Sequence, residues 1–188
     1  PPLSLRRRYA SNRSDRPGGF GWGWTHDFEQ ALWLEPGRVV LREADGRELE
    51  FDTMGLPGQV ARAGDVLHDT TGRLTLRSMG RLHWELRGRT DDGATLRHFR
   101  PEPGESAAGR DRGMSRLVRI VPLHRGPQAG LVELTYRDDA RLHEIRSHGR
   151  VLVTFEYDAA GRIESLWTPQ AERLQRHARF VYSPDGEL

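Results

Sequence analysis

Phe155-Glu156-Tyr157-Asp158-Ala159-Ala160-Gly161-Arg162-Ile163 is the stretch that decides the fold. Read from slightly upstream, Val151, Val153, Phe155 and Tyr157 alternate with Leu152, Thr154, Glu156 and Asp158. That is the period-2 pattern of a strand. Asp158 to Gly161 reads as a turn, with Gly161 free to take a positive φ. Arg162 to Trp167 reads as the return strand. The unit is a β-hairpin whose arms of about seven residues each span roughly 23 Å.

The unit recurs. Leu134-Thr-Tyr136-Arg-Asp-Asp-Ala140-Arg141-Leu142 lies 21 residues upstream, counted from Tyr136 to Tyr157. Phe180-Val-Tyr182-Ser-Pro-Asp-Gly186-Glu-Leu188 lies 25 residues downstream, counted from Tyr157 to Tyr182. Each copy has an apolar residue two before the Tyr, a small residue four after it and an aliphatic residue six after it. A spacing in this range marks a repeat architecture. One such unit cannot bury its apolar face alone, so neighbours must cover it.

These residues resemble the YD repeat of the RHS proteins, which include bacterial polymorphic toxins and relate to teneurin shells. The match rests on Tyr136, on Tyr157-Asp158, on Gly161-Arg162 and on Tyr182 to Gly186. The central copy keeps the Tyr-Asp pair; Arg137 and Ser183 replace the Asp in the other two. Leu5-Arg-Arg-Arg-Tyr9, then Gly18-Gly-Phe20-Gly-Trp22-Gly-Trp24-Thr-His-Asp-Phe28-Glu29, is similar to the start of the domain that precedes the repeats in many bacterial RHS proteins. The resemblance implies an N-terminal β-domain over 1–130 leading into YD-type repeats over 131–188, incomplete at the C-terminal end. It implies a spiral of consecutive hairpins that builds a hollow shell around a C-terminal toxin. Delivery would follow type VI or a related secretion route. The implied partners are the remainder of the shell, the toxin cargo and a secretion spike protein. The protein would be made in the bacterial cytoplasm and delivered to the cell exterior or a target cell.

Composition bounds the alternatives. The chain has 188 residues, 36% hydrophobic and 30% charged, without cysteine. Disulfides and thiolate metal sites are therefore excluded. No apolar run approaches the ~20 residues of a membrane span. The chain starts without Met and stops inside a third repeat, so it is expected to be a piece of a longer polypeptide. All 29 basic residues are Arg, yet the net charge is only +2. The Arg residues are interspersed with Asp and Glu, which favours a mixed-charge surface over a nucleic-acid stripe.

Upstream of the repeats the same grammar continues. Val39-Val40-Leu41, a turn at Ala44-Asp45-Gly46, then Leu49 and Phe51 form one hairpin. Asp69-Thr-Thr-Gly72-Arg73-Leu74 is another turn leading into a strand. Leu82, Trp84 and Leu86 alternate with polar residues. Residues 1–30 read as irregular and 100–115 as a Pro/Gly-rich loop. Gln170 to Arg179 has helix-forming composition without an apolar stripe, so the repeat register makes it a strand. The whole chain is expected to be all-β.

No catalytic constellation stands out. There is no Walker loop, no Gly-x-Ser-x-Gly elbow and no His-Glu-x-x-His helix. His143 and His148 are a weak metal pair. His26 beside Asp27 reads as a structural hydrogen bond at a crowded turn. Asp91-Asp92, Asp138-Asp139 and Asp158 sit in turns, where Asp bonds nearby backbone N–H groups. No catalytic residue, cofactor or metal ligand is assigned, and the segment is expected not to be an enzyme. Phe20, Trp22, Trp24 and Phe28 form an aromatic cluster that either starts a core or offers a stacking shelf. Trp22 and Trp24 separate the two: if buried, they favour a shell wall. Exposed rings with Arg favour a carbohydrate-binding module at a cell surface, the alternative function.

Overall fold

The computed structural model of the chain describes residues 4–11, 17–90, 93–101, 113–123, 130–171 and 173–183. Among these residues there is no α-helix. Four short strands open the chain: β1 (Arg7–Tyr9), β2 (Pro17–Gly18), β3 (Gly21–Trp22) and β4 (Trp24–His26). The next are β5 (Ala31–Glu35), β6 (Arg38–Arg42) and β7 (Glu48–Asp52). After a 3-10 turn at Pro57–Gln59 come β8 (Val66–His68), β9 (Thr75–Gly80), β10 (His83–Thr90) and β11 (Gly93–Pro101). The chain continues with β12 (Ser115–Pro122), β13 (Val132–Tyr136), β14 (Leu142–Ser147), β15 (Arg150–Tyr157), β16 (Ile163–Gln170) and β17 (Arg173–Arg179).

Thirteen strands share one sheet, ordered β17 through β8 by sequential neighbours, with β5, β6 and β7 as a branch. The fold is the all-β, antiparallel succession of hairpins that the alternation implies, and the sheet is not closed into a barrel. Residues read as irregular before position 30 instead form the four short strands β1 to β4. Their Gly-rich composition masks the period-2 signal over stretches of two or three residues. The segment before Phe180 is indeed a strand, β17, but Tyr182 lies beyond its end.

One turn chemistry shapes several hairpins. Gly46, Gly72, Ala140 and Gly161 all hold positive φ, at 81°, 67°, 62° and 82°. Each donates its N–H to the carbonyl three residues earlier: Glu43, Asp69, Arg137 and Asp158, at 2.8–3.0 Å. Ala140 shows that the turn forms even where a Cβ disfavours it. The repeated flank Gly-Arg or Ala-Arg is therefore a turn signature first and a repeat signature second.

β12 is where the sheet forks. One of its edges pairs with β11 along its whole length, with a bulge between the pairs His98–Arg119 and Phe99–Leu117. On the other edge Ser115 and Arg116 pair with Leu32 and Ala31 of β5. Two residues past Leu117, Arg119 and Ile120 pair instead with Glu133 and Val132 of β13. Leu117 stands between, and its N–H donates to the carbonyl of Gln30 at 3.2 Å. The segment 17–30 thus lies as a wedge at the fork. One continuous cluster of buried side chains joins Phe20 and Phe28 of the wedge with Leu32, Phe51, Leu86 and Leu117, and runs on to Ile145, Phe155 and Ile163.

A charge is pinned inside this core. Arg97 on β11 is 2% exposed. Its Nη1 donates to Gln30 Oε1 at 2.7 Å and to both carboxylate oxygens of Glu43 at 3.0 and 3.2 Å. It therefore ties the wedge, the β6–β7 turn and the main sheet together. Removing one partner of such a buried pair strands the other. We expect Arg97→Ala to lower stability by about 3–5 kcal/mol in urea unfolding, and Arg97→Met combined with Glu43→Leu to recover most of it. A loss under about 1 kcal/mol for Arg97→Ala would mean that Glu43 finds water instead.

Candidate functional site

The repeat tyrosines build a seam across the sheet. Tyr136 ends β13, and its hydroxyl donates to the Leu117 carbonyl at 2.6 Å. Tyr157 ends β15 and donates to the Leu142 carbonyl at 2.7 Å. Tyr182 donates to the Ile163 carbonyl at 2.7 Å. The acceptors are linked to the donors by backbone pairing, since Tyr136 faces Leu142 and Tyr157 faces Ile163 in the ladder. Hydroxyl bonds and strand pairing therefore alternate from Leu117 through Tyr136, Leu142, Tyr157 and Ile163 to Tyr182. Leu142 and Ile163 are the aliphatic residues six after a repeat Tyr. Burial pushes the Tyr157 and Tyr182 hydroxyls up, so both stay protonated and remain donors.

The rest of the motif serves the ring of the following Tyr. The Arg162 guanidinium lies 4.2 Å from the Tyr182 ring centroid. Asp158 holds it there: Oδ1 accepts the Arg162 backbone N–H at 2.8 Å and Oδ2 accepts Nε at 2.8 Å. Burial alone would raise the Asp158 carboxyl, but these Arg162 contacts outweigh it and hold it below the usual carboxylate range. One repeat earlier, Arg141 and Arg137 each lie 5.6 Å from the Tyr157 ring. Arg137 stands where the motif has Asp, and its Nη2 donates to the Phe155 carbonyl at 3.1 Å. Asp139 then takes the Asp role, accepting the Arg141 backbone N–H at 3.1 Å. Gly161 suits the positive φ, and a Cβ there would push the Arg141 guanidinium aside. Gly186 of the third copy lies outside the described residues.

The wedge closes the seam at both ends. Gly19 accepts the Ile163 N–H at 2.7 Å, as Gln30 accepts that of Leu117. Phe20 and Phe28 are buried, with Phe20 edge-on to Phe180 at 4.9 Å and to His26 at 5.7 Å. Arg7 covers Phe20, Trp24 and Phe180 at 5.4, 5.5 and 4.9 Å. The aromatic cluster read from the sequence is therefore divided. Two of its members are core, Trp24 is half-buried against Tyr9 at 5.3 Å, and Trp22 is 48% exposed.

His26 does not bond Asp27. Its Nδ1 accepts the Phe28 N–H at 3.3 Å, and Asp27 turns away to the Arg6 N–H and the Arg8 guanidinium, both at 2.8 Å. Glu29 lies near it instead, with 3.7 Å from Oε2 to His26 Nε2. This pair, a buried His26 beside a half-buried Glu29, had no signal in the sequence beyond an i, i+3 spacing. Burial pulls the His26 imidazole down to about 4, against a smaller opposing pull from Asp27. Burial pushes the Glu29 carboxyl up to about 7, opposed by the Gly19 N–H, Arg116 and Arg42. The arrangement favours a neutral wedge; it lacks a nucleophile. Among the described residues no group of three or more His, Asp or Glu could hold a metal.

A family model described as "Domain of unknown function (DUF6531)" matches residues 1–51, the stretch that holds the wedge and the branch strands β5, β6 and all but the last residue of β7. No curated protein matches the chain.

The seam and the wedge each yield a test. Tyr157→Phe keeps the ring under Arg141 and removes the bond to Leu142, so it should cost about 1–2 kcal/mol in denaturant unfolding. Little change would mean that water replaces the hydroxyl. For the wedge, Glu29 raised from 4.5 to about 7 favours folding fully below pH 4.5, and that advantage is lost as pH rises towards 7. His26 lowered from 6.5 to about 4 favours folding above 6.5 and loses that advantage as pH falls towards 4. The two effects oppose each other between about pH 4.5 and 6.5, so the wild-type melting temperature should vary little there. Glu29→Gln should leave the His26 effect alone: melting temperature then rises over that range and exceeds wild type at pH 8. Parallel melting curves for the two proteins would show that Glu29 is ionised in the wedge.

Proposed function

We propose that this chain is an N-terminal wall segment of an RHS-repeat shell that encloses and helps deliver a C-terminal toxin, through type VI or a related secretion route. The observation that carries the reading is the seam. Tyr, Asp, Gly and Arg of the repeat motif each have a distinct part in joining one hairpin to the next. Such a device serves a wall that grows by adding hairpins. The match to DUF6531 over residues 1–51 supports it, because that domain is often found in such proteins. In this reading the segment itself performs no turnover. The wedge fastens the first turn of the spiral, and the partners are the rest of the shell, the cargo and a secretion spike protein.

A specific observation keeps one second reading in view. Trp22 and Tyr9 are 48% and 54% exposed, and Tyr9 packs on Trp24 beside Arg7. Exposed rings flanked by Arg suit a carbohydrate at a cell surface, and of the two Trp that separate the readings Trp22 is exposed and Trp24 half-buried, while the buried Phe20 and Phe28 suit a wall.

The test uses the full-length gene product that contains this chain. Under limited proteolysis the C-terminal region should persist, and remain associated with residues 1–188, far longer than the same region expressed alone. Equal digestion of the two would sink the enclosure reading. If Trp22→Ala leaves protection intact but abolishes binding to immobilised glycans, the surface-module reading takes its place.

A further inference from the structure

The clamp around Arg97 engages only one of its three guanidinium nitrogens. Nη1 alone bonds Gln30 and Glu43. Nε is buried and has no hydrogen-bond partner. Two residues earlier on β11, Thr95 is 5% exposed, and its Oγ1 is likewise buried and orphaned. Two such atoms side by side call for an explanation, because nearly all buried polar side-chain atoms bond to protein or to ordered water.

The two atoms face one point inside the sheet. Alternate residues of a strand share a face, and Thr95, Arg97 and Phe99 form the buried face of β11. Gly88 pairs in register with Thr95, and Leu86 with Arg97. The Arg97 side chain leans back along the strand from its own register position, since a Cβ on Gly88 would lie 3.6 Å from Nη2. The guanidinium therefore reaches the level of Thr95. Its Nε and Nη2 form one donor edge, separate from the Nη1 that serves Gln30 and Glu43.

Charge and size select what joins the two atoms. They do not bond each other, since neither has a partner. An anion is disfavoured: Glu43 already balances Arg97 at 3.0 Å, and a second negative charge would be buried without a cation. An apolar group would satisfy neither atom. A bulky group is excluded by Leu74, which fills the space over Gly88. What remains is a neutral molecule of minimal size that both accepts and donates. Water has that chemistry, and a buried water needs only about two to four polar partners.

We propose that one resident water molecule bridges Arg97 Nε and Thr95 Oγ1. It accepts the Nε–H and shares a second hydrogen bond with the Thr95 hydroxyl. In doing so it fixes the rotation of the guanidinium and keeps Nη1 aimed at the wedge and the β6–β7 turn. Thr95 is thus a positioning residue for contacts that it does not itself make. The inference holds whether or not the chain belongs to a shell.

The test is NMR of the purified chain carrying isotope-labelled arginine. The Arg97 Nε–H should show a cross-peak to water whose sign in the rotating frame marks dipolar contact and not proton exchange. Thr95→Val keeps the shape of the side chain and removes its hydroxyl. It should abolish the cross-peak and speed exchange of the Gln30 side-chain amide about tenfold, the effect of losing one ordinary hydrogen bond. Thr95→Ser should restore both. If Thr95→Val does not fold, the wild-type cross-peak decides, together with a titration in which chloride replaces gluconate at constant ionic strength. The Arg97 Nε–H signal should not move in that titration. No cross-peak in the wild type, a cross-peak that survives Thr95→Val, or a signal that moves with chloride would each overturn the inference, the last in favour of a bound anion.

Discussion

Leu117 carries the constraint on which the rest of the structure depends. At the fork of β12 its N–H and its carbonyl both face an edge that neither β5 nor β13 covers. A buried backbone pair left unbonded costs free energy comparable to a lost hydrogen bond, so the fork requires two outside partners. The wedge supplies one through Gln30, and the first repeat supplies the other through the Tyr136 hydroxyl. The same solution reappears at Ile163, whose N–H goes to Gly19 and whose carbonyl receives Tyr182. The distance between these two anchor points sets how the wedge lies on the repeats. It also explains why the wedge is built around Gly18 and Gly19. A Cβ on Gly18 would collide with the Trp24 carbonyl, and one on Gly19 would press the Ile163 side chain at 3.1 Å.

The tyrosine is consequently a backbone-capping residue as much as an apolar one. Phe would fill the space and leave a carbonyl short of a partner. The residues around it follow from keeping that hydroxyl in place. An Arg five positions after one Tyr covers the ring of the next, and an acidic side chain in the turn aims the Arg. That acid need not hold one position, because Asp158 and Asp139 occupy different places in otherwise equivalent turns. The Asp of the repeat motif is thus replaceable when a neighbour in the same turn takes over its hydrogen bond.

Much of this was legible from residue types and spacing. The alternation through Phe155 and Tyr157, the turn at Gly161 and the recurrence at Tyr136 and Tyr182 specify antiparallel hairpins without any tertiary information, because strand and turn propensities are local. The aliphatic residue six after the Tyr was visible as a pattern, yet its backbone carbonyl, the atom that matters, has no side-chain signal. Arg116-Leu117, Arg141-Leu142 and Arg162-Ile163 form a recurring pair that could have placed a third acceptor at Leu117. The Tyr that ought to precede Arg116 by five residues is absent, and Asp111 stands there instead. The fork, the buried Arg97 and the His26–Glu29 pair were not legible. Each depends on which distant segment arrives at a strand edge, and that is decided by packing across the whole core. The division of the aromatic cluster was hidden for the same reason. Phe20 and Trp22 differ by two positions in a Gly-rich stretch whose short strands do not sustain one alternation.

The absence of Lys also takes on a more specific meaning beside these contacts. A GC-rich coding sequence, in which Arg replaces Lys, would account for an exposed cation such as Arg47. It does not explain Arg162, whose Nε, at 2.8 Å, and Nη2, at 2.7 Å, both close on Asp158 Oδ2 while the guanidinium lies over Tyr182. A point-charge ammonium cannot pair through a planar fork and stack on a ring at once. Arg97 works differently, because its Nη1 alone reaches Gln30 and both oxygens of Glu43 from an almost fully buried side chain. Arg7 sets one guanidinium within reach of three rings that belong to opposite ends of the chain. The seam and the wedge thus rely on a flat cation, and a Lys at positions 7 or 162 would keep the charge while losing the geometry.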